Sequence, residues 1–298
     1  MIVVKLMGGL GNQLFQIAYA IHLSSLTKKS IYIDKTVYLK YKIRSYSLDE
    51  LEVSNCFKGN IQQGYIKSNL LRFTQVVYKV YHKIMRLLLV DRYGRLPFRF
   101  LSKFGLFYNF DRFYYDVNIK KAKKIYIYGY FQSEKYFIDN VDLIKSLFKV
   151  KKTITNKEMD VLNLINQSSS VAVSMRLGDD YKKTKHLNVC DNQYYHKAIS
   201  LAKTMIPGAR FFIFSDDIEK AKEILGCNND CFYIEGFTEI ESFRLMYNCH
   251  DFIISNSSFS WWGAYLSENK NKIIITPSVW FKFMKNEPDI FFEKMIRI

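Results

Sequence analysis

The chain is poor in the features that usually announce a staple, a metal or a membrane span. Five cysteines, at 56, 190, 227, 231 and 249, occur among 298 residues. The count is odd and the spacing fits no metal site, because Cys227 and Cys231 lack a second Cys/His pair. A disulfide framework and a structural zinc site are therefore excluded, and free thiols are expected. Only four prolines occur and no Ser/Gly-rich tract, which excludes long disordered linkers. No D-x-D sequence is formed by the neighbouring carboxylates Asp179-Asp180 and Asp216-Asp217, so no divalent-metal diphosphate clamp is expected. The five histidines are scattered. The longest apolar stretch, 69–90, carries Arg72, Lys79, His82, Lys83 and Arg86 and cannot be an ordinary membrane span. Met1 leads straight into a strand pattern, so no signal peptide is expected and the location is read as cytoplasmic.

What is present is apolar, aromatic and basic. Hydrophobic residues make up 49% of the chain, with 22 Tyr and 24 Phe, enough for a full core. The length allows roughly two domains of about 150 residues. Net charge is +16, and the stretch from Lys67 to Lys124 holds 14 Lys/Arg against three Asp. Such a patch suits an anionic partner or forms a solvated face. Its aromatics Tyr78, Tyr81, Phe98 and Phe100 fall on apolar faces, which argues against nucleic acid. Segment 69–90 reads as an amphipathic helix, on the core or on a membrane surface; core packing is the favoured reading, with peripheral contact to an anionic membrane through 67–124 as the other.

Short β runs alternate with helical patterns through the second half: VAVSM (171–175), a helix over 193–205, RFFIFS (210–215), a helix over 216–225, CFYIE (231–235), a helix over 238–249, DFIISN (251–256), a helix over 257–267, and KIIITP (272–277). That is the signature of βαβ units and a parallel sheet. The first half opens the same way, with IVVKL, a helix and IYID, and returns to it at IYIYGYF (125–131) and a Ser-capped helix over 133–148. The polar segment 149–158 marks the boundary. The expected class is α/β, as two Rossmann-like doubly wound domains facing each other across a cleft. The first, 1–150, carries the irregular basic insert 67–124; the second is 151–298.

Ligands of such sheets sit beyond the carboxyl ends of strands, so the chemistry is sought there. Arg176 leaves the strand VAVSM and is suited to clamp a phosphate; the alternative is a structural Arg–Asp pair. Asp216 and Asp217 follow RFFIFS and offer carboxylates to a base or ribose, against helix capping at that turn. Asn256, Ser257 and Ser258 open a helix whose N-terminus is a ready anion site, against ordinary Ser capping. The opening stretch MGGLGNQLFQIAYA resembles G-x-G-x-x-G but has Leu14 where the third glycine belongs. Gly9 and Gly11 would admit a ligand to the backbone, with Asn12 and Gln13 at the mouth of the site.

Five stretches, GGLGNQLFQIAYA, GYFQSEKYF, R-x-G-D at 176–179, FSDD at 214–217 and SNSSFSWWGAYL at 255–266, occur in this order. Together they resemble the bacterial α-1,2-fucosyltransferases of glycosyltransferase family 11. The resemblance spans nearly the whole chain and implies a GT-B-type fold. It also implies inverting, metal-independent transfer of L-fucose from GDP-β-L-fucose to the 2-hydroxyl of a glycan acceptor such as a terminal β-galactoside, free or lipid-linked, in polysaccharide biosynthesis. GDP-fucose is then a co-substrate and no cofactor is needed. Arg176, Asp216, Asp217, Asn256, Ser257 and Ser258 would hold the donor, with Arg176 stabilising the leaving phosphate. Asp179 or Asp180 would be the base. Gly9, Gly11, Asn12 and Gln13 would line the sugar and acceptor side. The family motif is usually H-x-R-R-G-D; here Ser174 and Leu177 replace its His and second Arg. A transferase using another GDP-sugar and a non-catalytic glycan- or anion-binding protein are the alternatives.

Overall fold

The computed structural model describes residues 1–39, 44–60, 69–88, 90–116, 119, 122–178, 181, 184, 186–226, 229–282, 284 and 286–298. It divides into two compact units, Met1–Lys149 with Met284–Phe291, and Val150–Phe283 with Phe292–Ile298. The return of 284–291 to the first unit departs from a simple cut at 150. It has a physical cause: the Asp289 carboxylate accepts from Tyr114 N–H (3.1 Å) and from Lys135 Nζ (2.6 Å), and Asn286 N–H donates to Asp91 (2.7 Å).

The first unit is built from β1 (Ile2–Lys5), α1 (Leu10–Thr27), β2 (Ile31–Asp34), β3 (Phe57–Asn60), α2 (Asn69–Leu87), α3 (Arg95–Leu101), β4 (Leu106–Asn109), β5 (Ile125–Gly129) and α4 (Val141–Leu147). Its sheet has the order β3-β2-β1-β5-β4, with every pair parallel. Helix α1 is apolar on nearly all sides and buries 12 of its 18 residues, as such a composition requires. The expected continuous helix over 133–148 is instead two 3-10 turns, Glu134–Tyr136 and Ile138–Asn140, before α4. Tyr136 is the reason: its ring packs against Tyr19 and Phe131, and its hydroxyl is buried among Asn109, Phe113 and Tyr115.

Helix α2 packs on the sheet of the first unit, as the core-packing reading expects, but through an unusual face. Its inner face is polar and aromatic. Tyr78 sets its ring edge-on to Tyr108 (5.4 Å), and Gln75 Nε2 donates to Tyr126 Oη (3.0 Å) while Lys5 Nζ donates to Gln75 Oε1 (2.9 Å). A tyrosine-rich sheet face made of Tyr108, Tyr126 and Tyr128 selects hydrogen-bonding partners and leaves the aliphatic side chains outside.

The second unit is built from α5 (Asn156–Asn166), β6 (Ser169–Met175), α6 (Asn192–Met205), β7 (Ala209–Ser215), α7 (Ile218–Leu225), β8 (Cys231–Tyr233), α8 (Glu239–Asn248), β9 (Asp251–Ile253), α9 (Ser258–Leu266), β10 (Ile274–Thr276) and β11 (Met295–Arg297). The strand order is β11-β10-β9-β6-β7-β8, again with every pair parallel. Helix α5 begins within the polar boundary segment 149–158 and runs beyond it; a capping box formed by Thr155 and Glu158 starts it. The chain enters at β6, winds outward through β7 and β8, then returns to β9 on the other side of β6. The reversal of winding therefore falls between β6 and β9, where a doubly wound sheet opens its ligand crevice. Among the described residues no helix is long and apolar enough to cross a membrane. Cys56, Cys190, Cys231 and Cys249 are free thiols; Cys227 lies outside the described residues.

Candidate functional site

The carboxyl ends of β6, β7 and β9 carry the candidate residues of the second unit. The ends of β6 and β9 touch: Ser174 Oγ and Ser255 Oγ are 3.4 Å apart. Arg176 follows β6 directly. Asp216 Oδ2 holds its Nε at 3.1 Å, and about a quarter of the Arg176 side chain stays exposed. The other carboxylate oxygen of Asp216 accepts two backbone N–H groups, from Leu177 (2.7 Å) and Gly178 (2.9 Å). Arg176 N–H donates to Tyr195 Oη (3.3 Å). The guanidinium is thus fixed by a carboxylate whose own second oxygen is anchored to the same loop. Leu177 is buried in the core cluster beneath the sheet, so the position occupied by a second arginine in the family motif contributes packing here.

Asp217 differs from its neighbour. It is the N-cap of α7 and accepts from Lys220 N–H at 3.1 Å, while Ser215 Oγ accepts from Asp217 N–H at 3.0 Å. Asp217 thus takes the capping role that stood as the alternative to contact with a base or ribose.

Asn256 also differs from expectation. Its Nδ2 donates to Leu187 O and Trp280 O, both at 2.8 Å, and its Oδ1 accepts from Tyr181 Oη at 2.6 Å. Both amide hydrogens and the carbonyl are committed to protein partners. Asn256 is a buried knot that ties the loop after β6 to the segment at Trp280, not a side chain offered to a donor. Cys190 lies in the same knot, and burial pushes its thiol up to about 12. Ser257 is the N-cap of α9 with extended backbone and makes no side-chain cap bond. Ser258 begins the helix. Helix α9 therefore presents its N-terminus at the β6–β9 reversal without a side-chain cap across it. Asp179 and Asp180 lie outside the described residues.

In the first unit the opening turn is closed by its own hydrogen bonds. Gly8 has φ +78°, and a Cβ there would lie 2.5 Å from Asn12 Nδ2. Gly8 O accepts from Tyr38 Oη (2.7 Å) and Gln13 Nε2 (3.1 Å); Gln13 Nε2 also donates to Ser45 O (2.8 Å), and Gln13 Oε1 accepts from Ser47 N–H (3.2 Å). Gln13 is fully buried, so it holds the 45–47 loop and does not face a sugar. Gly11 is buried inside α1 rather than in the turn; Gly9 is the helix N-cap, with the Arg44 side chain 3.4 Å from a Cβ built there. Asp34 caps its own turn by accepting from Thr36 N–H (3.0 Å) and Thr36 Oγ1 (2.6 Å).

Asn12 remains in play, in company the motif reading missed. Gln132 Nε2 donates to Asn12 Oδ1 at 2.8 Å, and the Arg112 guanidinium donates to Gln132 Oε1. Arg112 also lies over the Tyr130 ring, 4.3 Å from its centroid. Burial lowers its pKa. Arg112 and Phe131 have φ of +74° and +52°, a strained backbone conformation for side-chain-bearing residues and one that clusters at functional sites. The polar row Asn12–Gln132–Arg112 therefore sits at the first turn of α1 and on the loops after β5 and β4. Gln132 lies within the GYFQ stretch, a visible signal; Arg112 carried none.

Comparisons with known proteins bear on the family and the fold. The family described as glycosyl transferase family 11 matches residues 1–296. An α-1,2-colitosyltransferase of Escherichia coli is 30% identical over 307 residues, covering 100% of this chain and 98% of that protein. The Escherichia coli O-antigen biosynthesis glycosyltransferase WbnK is 28% identical, covering 93% of each. Among solved structures, the α-1,6-fucosyltransferase NodZ soaked with GDP-fucose superimposes with a TM-score of 0.54 at 14% identity, covering 89% of this chain and 92% of its own. That likeness establishes a GT-B-like fold with two Rossmann-like domains.

Proposed function

The chain belongs to glycosyl transferase family 11, and from that footing we propose that it transfers L-fucose from GDP-β-L-fucose to the 2-hydroxyl of a glycan acceptor with inversion at the anomeric carbon. The observation that carries this reading is the placement of Arg176 and the uncapped N-terminus of α9 on the two strands that flank the winding reversal. In the proposed step the acceptor oxygen attacks fucose C1 from the face opposite GDP. The C1–O bond to the β-phosphate breaks, and negative charge grows on that phosphate. The Arg176 guanidinium and the first-turn N–H groups of α9 from Ser258 onward stabilise it, at about 3–4 kcal/mol per well-aimed donor. Asp216 is a positioning residue that sets the guanidinium. Asp179 or Asp180 takes the acceptor proton. No metal is required, so excess EDTA should leave the rate unchanged; strict metal dependence would overturn this part.

A second reading rests on one relative, the 30%-identical colitosyltransferase. Colitose is fucose without its 3-hydroxyl. A site that hydrogen-bonds that hydroxyl rejects the deoxy sugar by a factor of about 10⁴ or more, whereas an apolar wall there discriminates by only about 10². The test is a donor panel of GDP-fucose, GDP-colitose, GDP-mannose, UDP-galactose and NADH read by thermal shift, followed by turnover on a galactoside array. Fucosyl transfer with inversion is the expected result. Preferential turnover of GDP-colitose establishes the second reading, and stabilisation by UDP-galactose or NADH alone overturns both.

A further inference from the structure

Helix α2 and the segment after it expose what a folded domain normally hides. Phe73, Val76, Val77, Val80, Ile84, Leu87 and Leu88 are each between 46% and 82% exposed. At 3.6 residues per turn these positions fall within an arc of about 120°, opposite the buried Gln75 and Tyr78. The next helical segment repeats the pattern with Leu96, Phe100 and Phe104, spaced four apart and 78%, 60% and 67% exposed. The Phe100 and Phe104 rings lie 5.4 Å apart.

Charge identifies the occupant. Between Leu71 and Phe104 stand eight Lys/Arg, at 72, 79, 83, 86, 92, 95, 99 and 103, all exposed, and one acid, Asp91. None of the eight forms an ion pair among the described residues, and Asp91 is engaged by Asn286. On α2 the cations Arg72, Lys79, Lys83 and Arg86 form one edge of the apolar arc. A second copy of the chain would bring the same sign of charge to the same face. Nucleic acid would satisfy the cations and leave the leucines, valines and phenylalanines in water. An anionic lipid surface satisfies both sets, because headgroup phosphates meet the basic edge while the apolar arc enters the acyl boundary.

We propose that α2 and the 95–104 segment form an interfacial membrane-binding surface for anionic phospholipid. The inference is independent of the donor sugar. It is tested by co-sedimentation of the full chain with vesicles of phosphatidylcholine and phosphatidylglycerol in a roughly 2:1 ratio, against pure phosphatidylcholine vesicles. Binding only to the mixed vesicles, weakening as salt rises, is expected. The variant Lys79→Glu/Lys83→Glu should lose about 30-fold or more in partition. The variant Phe73→Ser/Val80→Ser, which keeps every charge, should lose about 10-fold or more. Unchanged melting temperatures show that both fold. Wild-type protein that stays in solution at low salt overturns the proposal. So does full binding by Phe73→Ser/Val80→Ser, which would mean electrostatic adhesion without insertion. Self-association in sedimentation velocity that this variant abolishes, with no vesicle binding, overturns it in favour of a second copy.

Discussion

The end of β1 and the end of β6 invite the same reading in sequence, a strand running into a glycine-bearing loop with polar residues behind it. Their side chains end up in different conditions. After β1, Gln13 is fully buried and its amide is consumed by Gly8, Ser45 and Ser47. After β6, Arg176 pairs with Asp216 through Nε and keeps about a quarter of its side chain exposed. A strand-end polar group that stays partly exposed is better placed for a ligand than one buried among the protein's own loops. The first glycine loop is a closed turn; the loop after β6 is a mounted cation.

The largest effect that tests this contrast is expected at Arg176. Arg176→Ala should lower kcat about 10²–10³-fold, the size associated with loss of one preorganised donor to developing charge, with little change in melting temperature. Equal losses of activity and stability would move Arg176 to the structural side. Asp216→Asn keeps an acceptor for the Leu177 and Gly178 N–H groups but removes the ion pair. It should lower kcat by about 10-fold or less, through a guanidinium that is still present but less well oriented. Steady-state kinetics with the preferred GDP-sugar separates these cases.

That Arg176 stands partly exposed at a strand end while Gln13 and Asn256 are committed to protein partners has a physical reason. The alternation of β and α patterns placed nearly every strand of the second unit, because buried parallel strands are short apolar runs that composition alone reveals. Strand ends then locate the loops that follow them. An Asn or Gln in such a loop, however, reads the same whether its amide meets a ligand or three carbonyl and hydroxyl groups of the chain. The Tyr181, Leu187 and Trp280 partners of Asn256 lie up to 75 residues away, and no local pattern records them. The face by which helix α2 packs is illegible for a related reason. An apolar stripe is normally the buried one, and only the tyrosines of β4 and β5 determine that the polar face packs instead. The strands β3, β4 and β11 were too short or too mixed to stand out.

The opposite side of the contrast is a stability effect. Gln13→Ala removes the bonds to Ser47 N–H and Ser45 O, while Gly8 O keeps Tyr38 Oη, at a cost of about 1–3 kcal/mol, with the turnover of the remaining folded enzyme nearly unchanged. Gly8→Ala forces a positive φ and a clash at Asn12, with a similar cost of about 1–3 kcal/mol. Chemical denaturation checks both. A Gln13→Ala protein of normal stability that has lost acceptor affinity would return the glycine loop to the active site.

The smallest effect belongs to Asp217, which sits beside Asp216 yet falls on the structural side. Its carboxylate caps α7 through Lys220 N–H, and capping residues contribute about 1 kcal/mol. Asp217→Ala should therefore lower stability by about that amount, while Asp217→Ser or Asp217→Asn, which restore a capping oxygen, should recover most of it. The KM for the GDP-sugar should hold within about two-fold, since a difference of 1.4 kcal/mol would already appear as ten-fold. The rescue is the discriminating arm. A carboxylate that hydrogen-bonds adjacent N–H donors of a guanine is replaced poorly by serine, whereas a cap is replaced well. Recovery of stability with an unchanged KM keeps Asp217 a helix cap, and a raised KM in all three variants would make it a nucleotide contact.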